Sequence, residues 1–141
     1  MKEFWHVIQT VIAALGGWIG YFLGGCDALL IALIIFITID YITGITCAIS
    51  DHKLSSEICF LGIAKKVIIF FLVGIAQLLD SVVFGQIGVL RTAVIFYYLS
   101  SEGISVLANA AHLGLPIPSK LKRVLEHLHD KSDGEDEGKS E

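Results

Sequence analysis

The most constraining feature of this chain is Asp40. It lies well inside an apolar run from Ala28 to Ile49. Three further apolar runs, Phe4–Leu23, Val67–Phe84 and Val89–Ala111, fill most of the first 111 residues. Each is about as long as a helix needs to cross hydrocarbon, roughly 17–25 residues. A chain of 141 residues that is 55% hydrophobic and only 17% charged is far more apolar than a water-soluble domain. The pattern predicts an all-α membrane protein with four transmembrane helices over 4–23, 28–49, 67–84 and 89–111. The alternative is three, because His6, Gln9 and Thr10 interrupt the first run.

The net charge of −4 comes from the end of the chain, where six acids stand against Lys131 and Lys139. This leaves the apolar part formally neutral, with no basic surface for nucleic acid. Gly114, Pro116 and Pro118 break the fourth run. Ser119 then begins a segment with Leu121, Val124, Leu125 and Leu128 at i, i+3, i+4 and i+7. Residues 112–129 are therefore expected to form a juxtamembrane basic amphipathic helix lying at the membrane surface. Residues 130–141 are expected to be a disordered acidic tail. Ser55 or Ser56 is a candidate cap for the third helix.

Lysine and arginine placement predicts orientation. With four spans, Lys2, Lys53, Lys65, Lys66, Lys120, Lys122 and Arg123 fall on one side, and only Arg91 belongs near the other. Both termini are then cytoplasmic, with Lys53, Lys65, Lys66, Lys120, Lys122 and Arg123 as topology determinants.

A charge at the centre of a membrane helix costs roughly 2.5–3.5 kcal/mol on insertion scales, so polar residues within the runs need a partner or water. Asp40, Thr43, Gly44 and Cys47 share a face of the second run. Tyr98, Glu102, Ser105 and Asn109 share a face of the fourth, and Gly74, Gln77 and Asp80 or Ser81 lie together on the third. Two readings follow: the groups satisfy one another inside a single bundle, with Asp80 reaching Arg91 across the Gly85–Gly88 turn, or they meet other copies and line a water-filled opening. Asp40, Thr43, Gly44, Asp80, Glu102, Ser105 and Asn109 are the candidates for such a lining or helix interface. Gly16, Gly20 and Gly24 repeat at the spacing that allows close helix contact in lipid and form a candidate assembly face. The scattered cysteines and histidines show no metal-ligand spacing, and the chain carries no catalytic or phosphate-binding motif. No metal, cofactor or enzymatic activity is expected.

Several segments resemble a known family in order. Asp40-Tyr41-Ile42-Thr43-Gly44, Leu54-Ser55-Ser56 with Gly62-Ile63-Ala64-Lys65-Lys66, and Leu79-Asp80 are followed by Glu102-Gly103-Ile104-Ser105 with Asn109, then by Gly114-Leu115-Pro116-Ile117-Pro118 with Leu121. Over about residues 37–128 the chain resembles phage lysis holins and the related toxin-secretion holins. Where many relatives carry a second acid before the asparagine, this chain has Ala108, and Met1 is its only methionine. The resemblance implies a homo-oligomer in the bacterial cytoplasmic membrane that forms a timed lesion, through which a peptidoglycan hydrolase, or a toxin, leaves the cell without stable contact. The competing readings are a small ion-coupled or multidrug-type transporter and a membrane anchor subunit.

Overall fold

The structure, a computed structural model, describes residues 1–85 and 87–137, the side chains at 128, 129 and 131–137 excepted. Five helices follow one another, with no strand among the described residues: α1 (Lys2–Phe22), α2 (Ala28–Ser50), α3 (Ser56–Val83), α4 (Val89–His112) and α5 (Ser119–Glu137). Local chemistry fixes the boundaries. Asp27 Oδ1 accepts the Leu30 N–H at 3.0 Å and starts α2. Ser55 Oγ accepts the Ile58 N–H at 3.2 Å and starts α3, in agreement with the expected serine cap.

α2 and α4 run parallel and in register from end to end. Asp27 meets Arg91 at one end and Asp51 meets His112 at the other. α3 runs antiparallel to both. Its Asp80 lies at the start of α4 and its Lys66 beside Asp40 and Glu102. Leu30, Leu33, Ile37, Ile69, Val73 and Ile95 pack together between the three helices, in the half nearer the α1–α2 and α3–α4 turns. α1 stands apart and has no buried residue of its own. Phe22 at its end covers Gly74, where a Cβ would collide with the Phe22 ring.

α2 and α3 are long and apolar enough to cross a membrane. Only 22% and 17% of their apolar windows are buried inside the protein, so most of this apolar surface faces outward, as in a helix solvated by lipid. Of the four expected spans, only these two meet that test of length and apolarity among the described residues. Polar residues interrupt α1 and α4 more often.

Three further expectations change. The third helix starts at Ser56 rather than Val67, because nothing between Ser56 and Lys66 breaks a helix. Lys65 and Lys66 therefore lie inside α3, with Lys65 exposed and Lys66 turned inward. Gly24 is not part of a helical glycine face. It sits in the turn after α1 at φ +83°, and a Cβ there would collide with Gln77 and Arg91. Helix α5 continues to Glu137 where composition predicted disorder from residue 130; its lysines and glutamates favour helix, and Gly134 costs only about 1 kcal/mol. Residues 138–141 lie outside the described residues.

Asp80 is fully buried, and its carboxylate accepts the backbone N–H groups of Leu90 and Arg91 at 3.0 and 2.8 Å. The expected Asp80–Arg91 pairing is thus through the backbone of α4 rather than the guanidinium. Asp80→Ala leaves both donors unmet and should cost about 1–3 kcal/mol, read as a lower midpoint of unfolding in detergent; an unchanged midpoint would contradict this role.

Candidate functional site: an ion cluster inside the bundle

Asp40, Lys66 and Glu102 each lie ten residues from the nearer end of their helices, α2, α3 and α4. At 1.5 Å per residue this is about 15 Å, half the thickness of a bilayer core. The antiparallel placement of α3 brings the three to one level. The Lys66 ammonium donates to Asp40 Oδ2 and to Glu102 Oε2. The second Asp40 oxygen accepts from Asn109 Nδ2 at 3.3 Å, and the same amide donates to Thr43 Oγ1 at 3.0 Å. Thr43 in turn donates to the backbone carbonyls of Ile39 and Asp40. Gly44 faces Asn109, and a Cβ there would stand 3.8 Å from Nδ2, in ordinary contact. Cys47 Sγ donates to the Asn109 carbonyl at 3.5 Å.

Asp40 and Glu102 are 8% and 7% exposed, so their charges are satisfied by Lys66 and not by solvent. With both acids ionised the cluster carries a net −1. A crevice of about 240 Å³ between α2 and α3, lined by Asp40, Tyr41, Gly44, Gly62, Lys65 and Lys66, borders it. The structure therefore brings together Asp40, Thr43, Gly44, Glu102 and Asn109 within one protomer. Ser105 makes no side-chain hydrogen bond among the described residues and stays outside the cluster.

Sequence reasoning assigned Lys66 to the cytoplasmic link and missed it as the partner of both acids. The signal was present. Lys66 is in phase with Ile69, Val73, Ala76 and Asp80, the buried face of α3, whereas Lys65 is out of phase.

A second polar site closes the opposite end of the bundle. The Arg91 guanidinium donates to both Asp27 oxygens at 2.7 and 3.1 Å, and to the carbonyls of Leu23 and Gly25 at 2.6 and 3.1 Å. The hydrogen bonds from Arg91 hold the Asp27 carboxyl below the usual carboxylate range. At the other end Asp51 and His112 pair at 2.9 Å in an exposed position.

The model of the bacteriophage holin family matches residues 17–130, which includes every member of the ion cluster. The chain belongs to the bacteriophage holin family. Its similarity to individual proteins extends over nearly full lengths. An uncharacterized 14.9 kDa protein from the nagH 3′ region of Clostridium perfringens is 37% identical over 93% of this chain and 99% of its own. An uncharacterized protein of Listeria monocytogenes is 39% identical over 94% of both chains, and one of Clostridium acetobutylicum is 33% identical over 86% of this chain and 98% of its own. No solved structure matches. In this holin-family chain the matched region begins at Gly17, inside α1, and leaves most of that helix outside it.

Removing one partner of a buried ion cluster strands the rest, at about 3–5 kcal/mol, whereas removing all charges together is nearly neutral. Lys66→Met alone should thus unfold markedly earlier in a denaturant titration in mild detergent, and the triple variant Asp40→Asn, Lys66→Met, Glu102→Gln should recover most of the loss. Equal stability of Lys66→Met and the unmodified protein would dismiss the cluster. At the other end, a lowered Asp27 carboxyl stabilises the fold above its ordinary value of 3.8 and ceases to do so as pH falls through the lower folded value. A nitroxide on Cys26, with Cys47 and Cys59 replaced, should become mobile in that acid window and already be mobile at neutral pH in Asp27→Asn.

Proposed function

We propose that this protein acts as a holin: copies gather in the bacterial cytoplasmic membrane and open a lesion through which a peptidoglycan hydrolase, or a toxin, leaves the cell. The observation that carries this reading is the Asp40–Lys66–Glu102 cluster at mid-membrane depth. Three charges held away from lipid by one another are stable in a closed bundle and become more stable when water reaches them, because hydration removes their desolvation cost. A closed, lipid-surrounded bundle and an open, wetted assembly are thus two acceptable environments for the same residues.

Four spans with cytoplasmic termini fit this function. α4 accompanies α2 along its whole length, so it crosses wherever α2 crosses, and a 21-residue α1 has the length to cross before them. Arg91 is neutralised by Asp27 and Lys66 by two acids. Leaving both out, together with Lys65 at nearly the same depth as Lys66, the bases Lys2, Lys53, Lys120 and Arg123 still favour one side as the cytoplasmic one. Gly16 and Gly20 on α1 support assembly with a second copy, since a Cβ at either position would meet nothing within 4 Å and small residues let helices approach closely in lipid.

Induced expression in a bacterium should stop growth abruptly and collapse the membrane potential. A transporter would instead alter drug tolerance, and an anchor subunit would do neither. Asp40→Asn or Glu102→Gln should shift or abolish the time of lysis with insertion intact, and unchanged timing in both would favour a static bundle. Gly16→Leu with Gly20→Leu should shorten crosslinking ladders in membranes; undiminished ladders would remove α1 from the interface.

A further inference from the structure

The placement of α5 is at odds with a purely lipid surrounding. The Leu113–Pro118 turn, with Gly114 at φ +84° and the Leu115 N–H donating to the Ala110 carbonyl, reverses the chain. α5 then folds back along α4. Leu121 and Leu125 enter a seam formed by Phe36, Gly103 and Val106, among others. Leu125 is buried, and its methyl groups stand 3.0–3.1 Å from where a Cβ on Gly103 would be, so the absence of a side chain at Gly103 lets Leu125 seat closely. Gly103 adjoins Glu102. Leu125 therefore reaches the level of the ion cluster, about 14 Å inside the end of α4 at the helical rise per residue.

The outer side of this helix is charged. Lys120, Lys122, Arg123, Glu126, His127 and Asp130 are all exposed along it. If α4 crosses the bilayer, these side chains stand at hydrocarbon depth. Each charge exposed there costs more than burying one leucine returns, and between helices in lipid the leucine's hydrophobic gain is itself largely missing. Two apolar side chains cannot hold a face with at least five charges against lipid. The docked position is stable only where the outer face of α5 meets water.

We propose that docked α5 is the aqueous wall of the assembled lesion. In a lone protomer, by contrast, the helix swings out about Gly114, Pro116 and Pro118 and rests among the cytoplasmic headgroups, the site its amphipathic pattern suits. The assignment rests on the pore-forming reading and names the surface that lines the pore. Over its length α5 carries four bases against six acids, with histidine neutral, so the wall favours passage of cations.

The test uses full-length protein in zwitterionic phosphatidylcholine vesicles holding one cationic and one anionic dye of equal size. The unmodified protein should release the cationic dye first, and Glu126→Lys with Asp130→Lys should invert that order; an order unaffected by the substitutions overturns the proposal. A second arm joins Gly103→Cys to Leu125→Cys after replacing Cys26, Cys47 and Cys59 by alanine. Oxidation should form the bond in leaking vesicles and leave release intact. Absence of the bond, or release lost on oxidation and restored by dithiothreitol, shows that α5 leaves its seat in the open state and overturns it. Unmodified protein that releases neither dye refutes the pore-forming reading itself, a result distinct from either of these.

Discussion

One ammonium group shared between two carboxylates organises this molecule. Lys66 joins α3 to α2 through Asp40 and to α4 through Glu102, at a depth where an unpaired charge would be rejected by hydrocarbon. Because each partner needs the other two, the relative heights of three helices are set within about one residue. A slip of α3 by a single position would replace Lys66 with Lys65 or Val67, whose side chains point elsewhere on the helix. The apolar layer on one side of the cluster and the Asn109–Thr43 pair on the other then fall into place. In lipid, where apolar packing gains little from burial alone, such polar contacts give the bundle a unique register.

The two ends of the bundle are closed differently. At one, Asp80 caps α4 from within and Arg91 gathers the carbonyls and carboxylate of the α1–α2 turn, so that Asp27, Asp80 and Arg91 are all hydrogen-bonded. At the other, the Asp51–His112 pair is exposed, and the following segment carries half of the bases and half of the acids of the chain. The bundle is therefore asymmetric, with one end closed by buried hydrogen bonds and the other by an exposed pair.

Much of the architecture was legible in the sequence. Apolar run length gave the helices, and Ser55, the Gly24–Asp27 break and the Gly-x-Pro-x-Pro turn gave their limits. The polar stripe of the second run and that of the fourth do meet, through Asp40, Thr43 and Asn109. The error lay in ending a membrane helix at its first lysines. Hydropathy treats Lys66 as a boundary, but a charge whose partners come from other helices continues the span, and only its phase with Ile69 and Val73 discloses that. The fold-back of α5 was hidden for a related reason. Its amphipathic pattern states that one face is apolar, not whether that face meets headgroups or Gly103, and a hole made by a missing side chain leaves no mark in the periodicity.

The parallel pairing of α2 with α4 has a consequence for biosynthesis. The two helices are separated by the whole of α3, so the neighbour that α2 packs against most extensively emerges from the ribosome only after three quarters of the chain has been made. Asp40 and Lys66 can meet earlier as a neutral pair, and Glu102 arrives last, bringing the unbalanced negative charge with it. A nascent chain halted before α4 holds one acid, one base and an uncovered flank on α2; completing translation is what supplies both the missing wall and the second acid of the finished core.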